Sequence, residues 1–190
     1  YFNSNLLGTF HILEATKNLN IKQLIITSTS ETYGTAQKVP ISENHRLIGQ
    51  SPYSASKISA DQLAISYWTS FQLPVKIIRP FNTYGPRMHP NDGRVVSNFI
   101  LQALKNEDIT IYGDGKQTRS FCFVDDLING FQLFMNSEDS FKGPVNLGNP
   151  TEFTILELAE KIISLTSSSS KIIHRPLPED DPKQRQPDIS

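Results

Sequence analysis

Apolar residues recur along the chain at two different spacings, and each spacing predicts a different kind of element. Where they return every three or four residues, as over 3–17, they predict a helix with one apolar face. Short unbroken runs such as Leu24-Ile25-Ile26 are instead typical of a parallel strand that is buried on both faces. By these criteria the chain predicts helices over 3–17, 52–71, 95–104, 127–135 and 155–163, and strands over 21–27, 75–79, 109–112, 120–124, 145–147 and 171–174.

Polar residues mark the start of two of these helices. Ser51 before Pro52 is a good N-cap with proline at the first helical position, and Thr154 is a second N-cap. Because helices and strands alternate through the first half and less regularly afterwards, we expect an α/β fold with a smaller appended region. The last stretch, 176–190, is rich in proline and charge and is predicted to lie on the surface.

Composition excludes several classes of function. Lys and Arg number 18 against 19 Asp and Glu, for a net charge of −1, which provides no basic stripe for nucleic acid. No apolar run is long enough to cross a bilayer. Cys122 is the single cysteine, so the chain forms no internal disulfide. We therefore expect a protein of a reducing cytoplasm that binds neither nucleic acid nor membrane.

Two features lead us to expect a fragment of a longer protein. The chain begins at Tyr1, inside a predicted helix, and lacks an initiator Met. It also contains no glycine-rich phosphate-binding turn, because Gly113 and Gly115 follow a strand but lead into Lys-Gln-Thr-Arg rather than into a helix.

The clearest chemical signal is the spacing of Tyr53 and Lys57 in 51–57 (SPYSASK). Four residues apart on a helix, the two side chains share one face. A free phenol titrates near ~10, so a base that works near neutral pH needs about 3–4 kcal/mol of preferential phenolate stabilisation. One cation about 4 Å away, at an effective dielectric of ~20, supplies about 4 kcal/mol. Taken alone, the spacing also fits a buried Tyr beside a solvated Lys.

Two further segments place polar groups directly after predicted strands, where ligands bind in open α/β sheets. They are 24–34 (LIITSTSETYG) and 79–87 (RPFNTYGPR). Together with the Tyr–Lys pair, they resemble the extended short-chain dehydrogenase/reductase family, which comprises NAD-dependent nucleotide-sugar epimerases, dehydratases and decarboxylases. The resemblance covers nearly the whole chain. That family carries its glycine motif in the N-terminal third, which this chain lacks.

The resemblance implies the fold and the ligands. We expect the C-terminal half of a doubly wound, Rossmann-like parallel sheet with part of a small substrate-binding lobe. Residues 1–90 would be the remainder of the NAD-binding domain with the catalytic pair, and 91–190 a mixed substrate-binding region with returning sheet elements. NAD would be the cofactor and a UDP-sugar the substrate.

The resemblance also implies roles for single residues. Tyr53 would be the base that takes the proton from the sugar hydroxyl, and Lys57 would hold the nicotinamide ribose and stabilise the phenolate. Thr29 would hydrogen-bond the reacting hydroxyl in a near-attack geometry, and Glu31 would meet the sugar near C5. The remaining contacts implied are Ser28, Pro80 and Phe81 for the cofactor, and Ser30 and Asn82 for the substrate.

Three segments of the second half favour one substrate among the nucleotide sugars. They are 91–99 (NDGRVVSNF), 112–121 (YGDGKQTRSF) and 180–189 (DDPKQRQPDI), and they are similar to UDP-glucuronate decarboxylases. In that family the nucleotide diphosphate and sugar would face Asn98, Tyr112, Arg119 and Arg185. The planar fork of Arg suits phosphate better than Lys does. The resemblance therefore implies oxidation at C4, loss of carbon dioxide and formation of UDP-xylose.

The first half leaves other reactions open. Decarboxylases usually show CYDEGK around the catalytic pair, whereas this chain has PYSASK, which is closer to 4,6-dehydratases of UDP-amino sugars. Many dehydratases place an Asp before the Glu, where this chain has Ser30, a much weaker acid. A 4-epimerase needs only the Tyr–Lys pair. A non-catalytic NAD(H) sensor typically loses Tyr or Lys, and both are retained here.

Family members are commonly homodimers through two helices per subunit, one of which carries the Tyr–Lys pair. The predicted helix 52–71 has an apolar stripe of Leu63, Tyr67 and Phe71. That stripe fits either such a contact or burial in the chain's own core.

Overall fold

The computed structural model describes residues 1–176 and 184–190 and confirms the α/β fold class. A short π-helix, Phe2–Leu7, precedes the first α-helix. The α-helices are α1 (Gly8–Lys17), α2 (Pro52–Phe71), α3 (Val95–Leu104), α4 (Val124–Met135) and α5 (Ile155–Thr166). The strands are β1 (Leu24–Thr27), β2 (Val75–Pro80), β3 (Thr83–Tyr84), β4 (Ile109–Tyr112), β5 (Thr118–Ser120), β6 (Cys122–Phe123), β7 (Val145–Leu147), β8 (Glu152–Thr154) and β9 (Ile172–Arg175). Within the described ranges, every helix is too short or too polar to span a membrane.

The central sheet is parallel, in the order β1-β2-β7. Strand β2 lies in the middle, and five of its six residues are buried, as expected for a strand covered on both faces. Strand β7 belongs to the second half of the chain, so that half returns to the sheet formed by the first. The remaining strands form two-stranded pairs: β3 with β6 and β4 with β9 in parallel, and β5 with β8 antiparallel.

Three apolar cores lie within the described residues, and the smallest joins Tyr33, Ile41 and Phe81. The first joins α1 and α2 to the central sheet through Leu13, Ala64, Tyr67, Val75 and Ile77. The second packs α3 and α5 against β4 and β9, and its buried members are Phe99, Ala103, Ile109, Ile111, Ile155, Ala159 and Ile162. The first core positions the Tyr–Lys helix, whereas the second supports the region predicted to bind substrate. The domain boundary near residue 90 stays a prediction.

The caps predicted from sequence are confirmed. Ser51 Oγ accepts the backbone N–H of Ser54, and Ser54 Oγ accepts that of Ser51, which forms a capping box at the start of α2. Thr154 and Glu157 form a second capping box at the start of α5. Each N-cap contributes about 1 kcal/mol.

The boundaries differ from prediction where tertiary contacts or charge decide them. Helix α4 begins at Val124 rather than 127, because Asp125 and Asp126 in its first turn favour the positive end of the helix dipole. Strands β3 and β8 were not predicted, since two or three residues carry no periodicity and form only through pairing partners. Within 184–190, Pro187 is buried and forms an isolated parallel β-bridge with Ile41. The prediction that 176–190 lies on the surface is therefore wrong for this residue.

The apolar stripe of α2 (Leu63, Tyr67 and Phe71) could serve a subunit contact or the chain's own core, and the structure divides its residues between these two alternatives. Tyr67 is buried and Leu63 packs against the first core. Phe71 is half exposed, and the Lys17 ammonium lies 4.0 Å from the centre of its ring.

Lys76 is a buried cation on the central strand. It is 2% exposed, and its Nζ donates to Phe134 O at 2.9 Å, Ser137 O at 3.0 Å and Ser137 Oγ at 2.7 Å. These acceptors lie at the end of α4, where backbone carbonyls lack helical partners. Lys76 therefore fastens the C-terminus of α4 to β2.

We expect Lys76→Met to lower the free energy of unfolding of the full-length protein by about 2–3 kcal/mol, because buried carbonyls lose their donor. Urea denaturation measures this loss. Lys105→Met is the matched control, since Lys105 is exposed at the end of α3 and its replacement should change stability by less than about 0.5 kcal/mol. Equal stability of the two variants would contradict the fastening role.

Candidate active site

The carboxyl end of β1 carries the first set of predicted site residues. Thr29 ends the extended chain, and its Oγ1 accepts the backbone N–H of Glu31 at 3.3 Å, which caps the 3-10 helix Ser30–Tyr33. Thr29 and Glu31 are half-buried, whereas Ser28 and Ser30 are buried at 4% and 5% exposure. Only Thr29 and Glu31 therefore present side chains to a ligand, and Ser28 and Ser30 could contribute mainly through their backbone.

Helix α2 brings the predicted catalytic pair to the same sheet end. Lys57 Nζ donates to Thr27 O, the last carbonyl of β1, at 2.6 Å. An ammonium has three donors, so this bond anchors Lys57 and leaves donors for a ligand. The Tyr53 ring packs edge-on against Tyr1, with 5.4 Å between centroids, and the Tyr53 hydroxyl forms no hydrogen bond within the described residues.

A buried ion pair lies directly behind this pair and was missed by the sequence analysis. Asp61, one turn after Lys57, is fully buried, and its Oδ2 accepts from Arg79 Nε at 3.1 Å. Burial raises the pKa of Asp61, while the Ser28 hydroxyl and the charges of Arg79 and Lys57 oppose that rise. The available sequence signal was an acid on the apolar face of α2, between Ala60 and Ala64.

The same surroundings act on Lys57. Burial lowers the pKa of the Lys57 ammonium, and the negative charge of Asp61 opposes that change. The site therefore combines a phenol, a partly desolvated ammonium and a hydroxyl at one sheet end. Such groups can accept a proton from an alcohol and hold ribose hydroxyls.

The end of β2 carries Pro80, Phe81 and Asn82. Phe81 is 4% exposed and stacks on Tyr33 with 6.2 Å between ring centroids, so its side chain belongs to the core. Asn82 is half-buried and lines a cavity of about 140 Å³ together with Arg119. The structure thus brings Asn82, from the first half, beside a residue predicted to bind substrate from the second.

A groove of about 820 Å³ gathers the other predicted substrate-binding residues. Its walls contain Asn98 from α3, Tyr112 from the end of β4 and Arg119 from β5. The walls also contain polar groups that were not predicted from the sequence: Gln102, Thr110, Gln117 and Arg175. Arg175 enters through its register with Tyr112 in the β4–β9 pair, a pairing that the sequence alone does not reveal.

Arg185 lies next to the ribbon that carries Arg119. The neighbouring Gln184 donates to the carboxylate of Glu152 at 2.8 Å, and Glu152 pairs with Ser120 in the β5–β8 ribbon. Residues 180–183 of the predicted segment 180–189 lie outside the described part of the chain. The placement of Gln184 brings the backbone at Arg185 toward the same region as Arg119.

Comparisons with known proteins agree with this arrangement. UDP-glucuronic acid decarboxylase 4 of Arabidopsis thaliana is 47% identical over 98% of this chain, and UDP-glucuronic acid decarboxylase 1 of Danio rerio is 46% identical over 98%. The chain spans only 43% and 45% of the lengths of these two relatives.

Solved structures of nucleotide-sugar enzymes also match this chain. A UDP-glucuronic acid 4-epimerase from Bacillus cereus, in complex with UDP-glucuronic acid and NAD, matches with a TM-score of 0.91 and 32% identity, over 100% of this chain and 60% of that one. A UDP-N-acetylglucosamine 4-epimerase from Methanobrevibacter ruminantium matches with a TM-score of 0.95 and 31% identity, over 100% of this chain and 61% of that one. Both likenesses extend over the central sheet, α2 and the groove.

A family model, described as the NAD dependent epimerase/dehydratase family, matches residues 1–148. That match includes the Tyr–Lys helix, both strand ends and Arg119. The chain therefore belongs to the NAD dependent epimerase/dehydratase family.

Proposed function

We propose that the protein converts UDP-glucuronate to UDP-xylose and carbon dioxide with NAD as cofactor. The observation that carries this proposal is the 47% identity to a UDP-glucuronic acid decarboxylase over 98% of the chain. The site geometry supports it, because Arg119 lines both the substrate groove and the small cavity that contains Asn82 from the end of β2.

The residues at the end of β1 fit the nicotinamide half of NAD. The Lys57 ammonium is anchored to Thr27 O and keeps donors for ribose hydroxyls, while the Tyr53 hydroxyl is engaged by no other described residue. When bound, NAD supplies the redox chemistry by accepting the hydrogen of C4 with its electron pair and returning it at the end of the cycle.

The side chains of this site would do the remaining work. Tyr53 takes the proton of the C4 hydroxyl, Lys57 stabilises the phenolate, and Thr29 orients the reacting hydroxyl. The resulting ketone lies β to the C6 carboxylate, so the C5–C6 electron pair flows into the carbonyl as carbon dioxide leaves. The enolate then takes a proton at C5, where the family places Glu31.

The groove would hold the nucleotide diphosphate. Asn98, Tyr112 and Arg119 line it. Arg185 directly follows Gln184, which is hydrogen-bonded to Glu152 in the β5–β8 pair. A guanidinium can donate two parallel hydrogen bonds to a phosphate, which fixes both position and orientation. We propose that Ser28, Ser30, Pro80, Phe81 and Asn82 complete the contacts around the nicotinamide and sugar.

We expect Arg119→Ala to raise KM for the UDP-sugar about 10- to 100-fold with a smaller change in kcat, because a charge-assisted bond to phosphate is lost in ground and transition states alike. Steady-state kinetics of the full-length protein measure this. Lys116→Ala removes the same charge three residues earlier, where the ammonium is 84% exposed, and should leave KM unchanged. Equal KM in both variants would place the diphosphate elsewhere.

A second candidate is 4-epimerisation of UDP-glucuronate. The observation that favours it is the TM-score of 0.91 to an epimerase solved with UDP-glucuronic acid and NAD. The 4,6-dehydratase alternative has less support, since Ser30 is 5% exposed as well as weakly acidic and is poorly placed to protonate a leaving hydroxyl. Retention of Tyr53 and Lys57 argues against a non-catalytic sensor.

Chromatographic separation of the products followed by mass spectrometry distinguishes these reactions, because an epimer differs from the substrate in retention and not in mass. The full-length protein is incubated with NAD and UDP-glucuronate and, separately, with UDP-N-acetylglucosamine. Loss of carbon dioxide from the first substrate supports decarboxylation, and an unchanged mass with a new stereoisomer indicates epimerisation. Loss of water from the second substrate would replace the proposal with dehydration.

We also propose that the protein forms a homodimer through α1 and α2. Large apolar side chains on these two helices are exposed: Phe10 at 38%, Ile12 at 53% and Phe71 at 50%. Sedimentation equilibrium tests the proposal, and a monomer at micromolar concentration would contradict it. The cytoplasmic location stays a prediction.

A further inference from the structure

Asp61 repeats the spacing of the catalytic pair by one more helical turn. Tyr53, Lys57 and Asp61 are four residues apart on α2, so they share one face of the helix. Asp61 is the buried end of this row, at 0% exposure, whereas Tyr53 and Lys57 are half-buried. A carboxylate is expensive to bury and is retained only with compensating partners.

The hydrogen bonds of Asp61 are only half satisfied. Oδ2 accepts from Arg79 Nε at 3.1 Å, whereas Oδ1 and the nearby Ser28 Oγ are buried outside hydrogen-bond geometry, although the Ser28 hydroxyl still favours the charged carboxylate. The large majority of buried side-chain polar atoms in proteins have at least one hydrogen-bond partner, so this oxygen is an exception. The Oδ1 atom of Asp61 therefore acts on its surroundings chiefly through its charge, and the cation one turn away is Lys57.

The groups that face Lys57 come from three elements. On α2 these are Tyr53, one turn before Lys57, and Asp61, one turn after it. Strand β1 presents the neutral carbonyl of Thr27, to which Lys57 is bonded. Strand β2 presents Arg79, whose guanidinium is bound to Asp61. Asp61 is thus the anion that acts on Lys57 within the described residues, and it separates two cations.

We propose that Asp61 is a positioning residue of the catalytic pair, which keeps the Lys57 ammonium charged beside β1 while Arg79 holds the Asp61 carboxylate in place. The catalytic importance of that charge rests on the proposed function, but the electrostatic coupling does not. Tyr53 depends on Lys57 remaining protonated, so loss of the Asp61 charge weakens the base at high pH first.

The sign follows from the charges. Burial lowers the pKa of Lys57 and Asp61 opposes this, so removal of the anion lets Lys57 lose its proton at lower pH. In Asp61→Asn, the alkaline limb of the kcat/KM profile moves about one pH unit or more toward neutrality. At the alkaline end, kcat/KM therefore falls about tenfold relative to the unmutated enzyme.

The experiment follows the Lys57 ammonium directly. Full-length protein with NAD is labelled with ¹³C at lysine Cε, the Lys57 resonance is assigned by its loss in Lys57→Arg, and titrations are compared with the kcat/KM profiles. Asp61→Asn leaves the buried Arg79 charge without its partner, which destabilises the fold. The second variant is therefore Asp61→Asn with Arg79→Gln, in which a neutral pair replaces the ion pair.

We expect Lys57 to titrate at lower pH in both variants, with the shift in the double variant at least half that of the single. A Lys57 titration unchanged in the single variant overturns the inference. A double variant that regains the original titration also overturns it, since Asp61 would then act only by neutralising Arg79. If the titration shifts but no variant and no unmutated protein turns over a UDP-sugar, the proposed function fails while the coupling stands.

Discussion

Tyr53→Phe is expected to lower kcat about 10³-fold while leaving NAD and UDP-sugar binding nearly unchanged. The substitution removes only the hydroxyl that takes the proton, and general acid–base groups contribute about 10²- to 10⁴-fold. The ring keeps its edge-on contact with Tyr1, and the lost hydroxyl bonds no other described residue. Stability should therefore stay the same, so the loss is one of chemistry.

Product formation under saturating substrate measures kcat, and calorimetry measures binding of the nucleotide sugar. Tyr84→Phe is the matched control, because Tyr84 is 37% exposed on β3 and is assigned no role in the site. It should retain full activity. A Tyr53→Phe protein that turns over at the unmutated rate would remove the phenol from the mechanism and revive the sensor interpretation.

The catalytic helix could be predicted from sequence because its signals are local. Ser51 and Pro52 fix the start of α2, and the four-residue spacing then fixes that Tyr53 and Lys57 share a face. The strand ends were equally accessible, since apolar runs followed by polar residues mark where a parallel sheet exposes ligands. For these elements, residues close together in the sequence determine both the local geometry and the candidate chemistry.

The polar network behind the site could not be predicted, because its members are distant in sequence. Arg79 bonds Asp61 across 18 residues and the Tyr33 hydroxyl across 46, and that hydroxyl donates to Asn146 Oδ1 across 113. Asn146 in turn donates to Ile41 O, where the end of the chain pairs. Such contacts depend on which strands neighbour each other, and no periodicity specifies that.

The residues of the groove could also be predicted only in part. Family likeness indicated Asn98, Tyr112 and Arg119, because these lie in recognisable segments. Arg175 lies in no such segment and reaches the groove through the β4–β9 register alone. Phe81 lies in a recognisable segment, yet its side chain packs into the core. Sequence similarity therefore identifies segments reliably, and the structure decides which atoms of each segment face a ligand.

Arg79→Met is expected to cost about 3–5 kcal/mol of folding free energy, the largest stability loss predicted for this chain. Arg79 is 2% exposed, and its guanidinium bonds Asp61 Oδ2 at 3.1 Å and the Tyr33 hydroxyl at 3.1 Å. Methionine fills much of the same volume but leaves the Asp61 carboxylate buried without its partner. The cost is thus the penalty of an uncompensated charge rather than of a cavity.

Because the loss comes from the uncompensated charge of Asp61, the stability of Arg79→Met should depend on pH. Burial already raises the pKa of Asp61, and removal of Arg79 raises it further, so the folded variant takes up a proton at higher pH than the unfolded chain does. A raised carboxyl pKa favours the folded state at low pH and loses that contribution as pH rises through it. The stability loss of Arg79→Met should therefore be smaller at pH ~5 than at pH ~8.

Urea denaturation of the full-length protein at both pH values tests this, with Arg79→Met plus Asp61→Leu as the control. Replacement of a whole buried ion pair by apolar residues is often close to neutral, so the double variant should regain most of the lost stability and lose the pH dependence. A double variant as unstable as the single would instead assign the cost to the Tyr33 hydroxyl and the network beyond it. Burial raises the pKa of Tyr33, which keeps that phenol neutral and able to donate to Asn146, so its bond to Arg79 is the weaker of the two.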